Sequence, residues 1–218
     1  MLDSTVESAE NIFALTRRNF KQPVAAFAAT LLFAGIGFTQ TLNNPLREEL
    51  LAMRDRDQKA REDCPQGDPD KQIKCYAQIL ESVDRPNTKR LEEIVRSSGI
   101  PNVRSVRADG VKAFYLVLQH SPSIELKKKS RKAMKKAFEA NALSAMDYAN
   151  FTDRLLVNLG KRQIYGSNFE FKDGKLVMSA VKDQKNLNAR RKKLGLPPIA
   201  DYARALGELY KMEVVVPQ

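Results

Sequence analysis

One side chain in these 218 residues, His120, has an ordinary pKa near neutrality, so an acid/base step at neutral pH falls first to it. It follows Gln119 at the end of the apolar run 111–118, where a helix would close. A cation is also welcome at a helix C-terminus, so the position fits a structural cap as well as a catalytic group. Asp153-Arg154 offers a carboxylate that could orient an imidazole and a guanidinium that could bind negative charge. Adjacent residues on a helix diverge by roughly 100°, so the two cannot both point squarely into one pocket, and salt bridges to other elements are the plainer reading. In Gln163-Ile164-Tyr165-Gly166, strand alternation puts Gln163 and Tyr165 on one face, with a phenol able to donate a hydrogen bond and a glycine suited to a bend.

Other chemistries are excluded or weakened. A single histidine rules out multi-histidine metal sites, and two cysteines with no nearby histidine make a poor metal pair, so neither metal nor cofactor is expected. No Gly-rich phosphate loop and no Gly-x-Ser-x-Gly elbow is present. Cys64 and Cys75 flank a short loop holding Pro65, Gly67 and Pro69, which suits a disulfide in an exported protein; the alternative is two unpaired thiols in a reducing compartment. Lys and Arg number 37 against 26 acids, a formal charge of +11. Seven cations fall within the ten residues Lys127–Lys136, with Leu126, Ala133, Met134, Ala137 and Phe138 opposite. That reads as a solvated helix face, or as a surface attracting anionic lipid or an envelope polymer. The lack of tryptophan, of interleaved aromatics and of any nucleic-acid motif argues against nucleic acid.

The elements that must position these residues read as mainly α: a single multi-helix globular domain with one β-hairpin, preceded by an N-terminal membrane segment. Between Lys21 and Arg47 lie 25 consecutive uncharged residues. This divides the chain into a tail at 1–21, a transmembrane anchor or signal segment at 22–43, and an exported body at 44–218. The segment reads as an uncleaved anchor, a cleaved signal or a buried soluble helix, and Arg17, Arg18 and Lys21 before it favour a cytoplasmic N-terminus. The body would then sit in the periplasm of a bacterial inner-membrane protein, or be secreted. Within it, periodicity predicts helices over 46–62, 71–83, 87–98, 111–120, 123–140, 144–159, 183–193 and 199–211, with Asp84-Arg85-Pro86 as a break and Asn87 as an N-cap. Phe169-Glu170-Phe171, Asp173-Gly174 and Leu176-Val177-Met178 predict a hairpin, and the length favours one main core.

Several short motifs stand in a definite order. They are Asp57-Gln58 with Arg61; Asp84 with Asn87; Gly99-Ile100-Pro101 leading to Gly110; Gln119-His120; Asp153-Arg154; Gln163-Ile164-Tyr165-Gly166; and Arg190 or Arg191 before Gly195-Leu196-Pro197 and Tyr202. In this order the chain resembles, over roughly Leu50 to Tyr202, a bacterial family known as domain of unknown function six-six-two-four. The family's usual Gly-Trp-Pro reads Gly99-Ile100-Pro101 here, which removes an indole stacking surface, and its Tyr-Gly-Thr-Gln reads Tyr165-Gly166-Ser167-Asn168. The resemblance implies no activity. It does imply a shared pocket, because packing alone does not call for polar signature residues on so many helices.

Two functions follow as expectations. The first is a metal-independent hydrolase or transferase of the envelope. His120 acts as general acid/base, Asp57 or Asp153 orients it, Tyr165 donates a hydrogen bond, and Arg61 or Arg154 binds negative charge. Gln58, Gln119 and Gln163 complete the substrate surface. The second is a non-catalytic envelope module that recognises a peptide, sugar or protein partner through the same pocket.

Overall fold

The computed structural model describes residues 42–65 and 69–217. The sequence-assigned tail and almost all of the anchor or signal segment lie outside the described residues. Among the described residues, no helix is long and apolar enough to cross a membrane.

Helix α1 (Asn44–Glu62) starts where Asn43 accepts the Leu46 N–H and Pro45 occupies a first-turn position in which its missing N–H costs nothing. Helix α2 (Pro69–Ile79) is tied back to the end of α1 by the Cys64–Cys75 disulfide. The expected break at Asp84-Arg85-Pro86 does not occur. Instead α2 widens into a π-turn (Leu80–Asp84), closed by the Arg85 N–H donating to the Leu80 carbonyl, and runs on as α3 (Arg85–Ser98). Pro86 falls in the first turn of α3, where it is tolerated, and Asn87 is a buried interior residue rather than the N-cap. Gly99, with φ of 75°, ends α3.

Helix α4 (Val103–His120) is the central element and is bent at Arg107, whose φ is 58°. Residues 113–120 are buried without exception, and α1 packs along it. Gly110 permits that approach: a Cβ there would meet Val106 Cβ at 2.8 Å and Arg47 Cγ at 3.3 Å. Ser123 caps α5 (Ile124–Glu139), and a reciprocal Ser144/Asp147 capping box opens α6 (Ala145–Asn158). The hairpin forms as the Asp-Gly signal predicts. β1 (Phe169–Lys172) and β2 (Lys175–Met178) pair antiparallel around Asp173 and Gly174, both at positive φ. A third strand, β3 (Val214–Val215), adds parallel to β2 and was not foreseen, because two residues are too few to show periodicity. Between hairpin and β3 lie α7 (Leu187–Leu194) and α8 (Ile199–Tyr210).

Two apolar clusters replace the single core expected. One joins α1 and α3–α6 through Leu50, Met53, Leu91, Phe114, Leu118 and Phe151. The other joins α6 to the sheet, α7 and α8 through Met146, Phe169, Met178, Leu187, Ile199 and Tyr202. Helix α6 serves both, since Phe151 and Leu155 enter the first while Met146 and Ala149 enter the second.

Candidate functional site

The buried stripe of α1 begins apolar and ends polar. Leu50 and Met53 are followed, at the same three- and four-residue spacing, by Asp57 and Arg61, so the helical repeat that buries the leucine also drives a carboxylate and a guanidinium into the interior. Asp57 is fully buried and accepts three hydrogen bonds: from Arg61 Nη1 at Oδ1 (2.9 Å), and from Gln58 Nε2 (2.8 Å) and His120 Nδ1 (2.8 Å) at Oδ2. His120 is the last residue of α4 and is 5% exposed. Arg61 Nη2 extends the chain to Asp84 Oδ1 at 2.7 Å. Asp84 closes the π-turn, a wide-bored distortion often found at functional sites, and the turn delivers its carboxylate to Arg61. Thr88 Oγ1 donates to the Asp84 carbonyl (2.7 Å) and is bonded to Ser121 Oγ (2.9 Å), which joins α3 to the residue after His120.

The two carboxylates are driven apart. Burial opposes ionisation of Asp57, but His120, Arg61 and Gln58 together outweigh it and hold that carboxyl below its usual range. For Asp84 burial wins over Arg61 and His120, and its carboxyl is pushed up. Lys127, which the charge run placed on a solvated face, is 2% exposed, and burial pulls its ammonium down to about 8 against the opposing field of Asp84. The other cations of the run, Lys128, Lys129, Arg131, Lys132, Lys135 and Lys136, are exposed.

The remaining sequence-derived site residues are placed elsewhere. Asp153 does not orient His120. Its carboxylate accepts from the backbone N–H groups of Ile164, Tyr165 and Ser167 and from Ser167 Oγ, at 2.8 to 3.1 Å, so its acceptor positions are filled by the loop before the hairpin. Gln163 is not on a strand with Tyr165. It is a buried staple whose Nε2 donates to the Asn168 and Ser179 carbonyls and whose Oε1 accepts the Asn168 N–H. The Tyr165 ring is half-buried, tilted against Tyr148 with centroids 6.3 Å apart, and its phenol is pushed up by burial. Arg191 donates to the Pro197 and Tyr165 carbonyls and lies 5.0 Å over the Tyr202 ring. Arg154 is buried, and burial lowers its guanidinium to about 10 with Tyr202 opposing. Gln119, 3% exposed, has no protein partner for either amide atom. The residues singled out from the sequence therefore divide in two: a titratable cluster on α1, the π-turn, α3 and α4, and a loop-holding cluster on α6 and α7.

Sequence reasoning missed Lys127. The signal was present, because Lys127, Ser130, Met134 and Ala137 repeat at helical spacing and all four are buried. A groove of about 240 Å³, lined by Asn43, Leu46, Glu49, Arg90, Ile94 and Ser98, lies between the starts of α1 and the later turns of α3, away from His120. Among the described residues, no group of three or more His, Cys, Asp or Glu side chains could hold a metal ion.

Positions 57, 61, 84, 87, 119 and 120 are all buried, and a family sequence profile matches residues 44–215. The chain belongs to the DUF6624 family. DUF6624 is described as a family of unknown function, so membership carries no activity. No curated protein and no solved structure is similar enough to this DUF6624 chain to match.

Proposed function

We propose that this domain is a metal-independent acid/base enzyme, a hydrolase or transferase of the bacterial envelope, with His120 as the proton-transferring group. The observation that carries the reading is the 2.8 Å bond between His120 Nδ1 and a fully buried Asp57 whose other oxygen accepts from Arg61. A carboxylate on Nδ1 fixes the ring orientation and its tautomer, assigns proton exchange to Nε2, and stabilises the imidazolium that forms when Nε2 takes a proton. Asp84, pushed the other way, holds Arg61 from its far side and so keeps Asp57 in register. Envelope location is supported by the Cys64–Cys75 disulfide and by the uncharged N-terminal segment, and the six exposed cations of α5 supply a face for anionic lipid or polymer.

The test is a turnover screen of the full chain on ester, phosphodiester, glycoside and amide reporters, with His120→Gln and Asp57→Asn alongside. Turnover of one class, lost by about 100-fold or more in His120→Gln, supports the reading. Turnover undiminished in that variant refutes it. A second reading, a binding module, is favoured by the groove at Asn43, Glu49, Arg90 and Ser98, which has polar walls and sits apart from the dyad. It expects a ligand whose affinity is unchanged in His120→Gln.

A further inference from the structure

Lys127 is a buried cation without a protein counter-ion. Its ammonium has no hydrogen bond or ion pair among the described residues, and the nearest field it feels is that of Asp84, already committed to Arg61 at 2.7 Å. Unpaired buried charge is costly, so such a residue either shifts toward its neutral form or meets an anion that the protein itself does not supply. Two buried neutral donors are also unpartnered. Ser130 Oγ is one turn beyond Lys127 on the buried side of α5, and Asn87 Nδ2 is one turn beyond Asp84 on α3. Ser130 is fully buried and Asn87 is 9% exposed. The start of α5 is fastened to α3 by Ser123 Oγ donating to Glu92 and by the Thr88–Ser121 bond, and Lys127 on α5 lies within the field of Asp84 at the start of α3.

From this arrangement, and resting on the acid/base reading above, we infer that the site takes a substrate bearing an oxyanion, a carboxylate or phosphate group, received by Lys127 with Ser130 and Asn87 as neutral donors. The charges agree with the assignment. Asp57 and Asp84 balance Arg61 and Lys127, so the cluster gains one net positive charge whenever His120 becomes imidazolium. A bound oxyanion neutralises that gain and favours the protonated intermediate. The anionic group thus serves both as a handle and as a contribution to the proton transfer.

The experiment is thermal stabilisation of the full chain by inorganic phosphate and, separately, by acetate, at constant ionic strength. Wild type, Lys127→Met, Ser130→Ala and the exposed control Lys132→Met are compared. Saturable stabilisation by one anion, retained in Lys132→Met, lost in Lys127→Met and weakened several-fold in Ser130→Ala, is the expected result. The anion that acts identifies the group as phosphate or carboxylate. Stabilisation that disappears in Lys132→Met but persists in Lys127→Met assigns the effect to the basic face and overturns the inference, as does an absence of stabilisation by both anions. Should Lys127→Met fail to fold, Ser130→Ala decides: undiminished stabilisation there overturns it. Anion binding intact in His120→Gln with no turnover by wild type would sink the acid/base reading alone, whereas turnover without any anion effect would sink only the oxyanion site.

Discussion

Replacing Asp57 by Asn keeps the shape of the side chain and removes the charge on which three neighbours depend. Arg61 Nη1, Gln58 Nε2 and His120 Nδ1 all present hydrogens to the carboxylate, and an amide can accept at only one end. Its NH₂ then faces a donor, and Arg61 is left, 8% exposed, with Asp84 as its remaining counter-ion. Removing one partner of a buried pair costs about 3–5 kcal/mol, which for a chain of this size lowers Tm by about 10 °C. The pH dependence distinguishes this from a packing defect. Because Asp57 is held below its ordinary 3.8 in the fold, its contribution is complete above that value and is lost as pH falls through the lower folded value. The gap between wild type and Asp57→Asn should therefore close in acid, as Asp57 becomes protonated in the wild type. Asp84, shifted upward, titrates in both proteins, and without Asp57 beside it its upward shift is smaller. Urea unfolding followed by far-UV circular dichroism across pH measures the gap. A variant as stable as wild type at neutral pH, or a gap that persists undiminished in strong acid, would refute the coupling of Asp57 to Arg61 and His120.

Three further outcomes are expected. Asp153→Asn should act as a folding lesion rather than a catalytic one, since it weakens the attachment of the 164–167 loop. A loss of about 2–4 kcal/mol in urea unfolding is expected, and a variant of full stability would contradict the structural role. The Cys64–Cys75 bond spans a separation of 11 residues, so its removal in a double Ser variant should cost about 3 kcal/mol by loop-closure entropy, read as a shifted urea midpoint. Lys127 binds its proton less tightly in the fold, about 8, than its ordinary 10.5, so the unfolded chain holds more protons between those values and stability should rise with pH across that window. Lys127→Met should be more stable than wild type by about 3 kcal/mol at pH about 7, with the gap closing near pH about 10, and equal stabilities at neutral pH would show that Lys127 carries no such cost.

Most helices were legible because their buried faces repeat at helical spacing. The hairpin was legible from Asp173-Gly174. The join at Asp84 was not, because proline in a first turn and proline in a break look alike in sequence, and a π-turn depends on what Asp84 must reach. His120 and Asp57 were both marked, but which carboxylate meets the imidazole is decided by the packing of α1 on α4, a tertiary fact. The grouping of Asp153, Gln163 and Tyr165 with His120 failed for a related reason. Residue type alone does not separate a carboxylate that orients a ring from one that collects backbone N–H groups. Lys127 was hidden by the cations around it, although its spacing to Ser130 and Met134 marked it as buried.

The central claim is that Asp57 fixes the ring of His120 for proton transfer at Nε2, and because His120 is the only histidine, its nitrogens can be read without assignment. The decisive measurement is the ¹⁵N spectrum of histidine-labelled full-length protein free of any histidine tag, recorded in parallel with Asp57→Asn. The account expects the neutral ring to carry its proton on Nδ1, with that proton strongly shifted by the carboxylate and moved in the variant. A neutral ring protonated on Nε2, or an Nδ1 signal indifferent to Asp57→Asn, would contradict it.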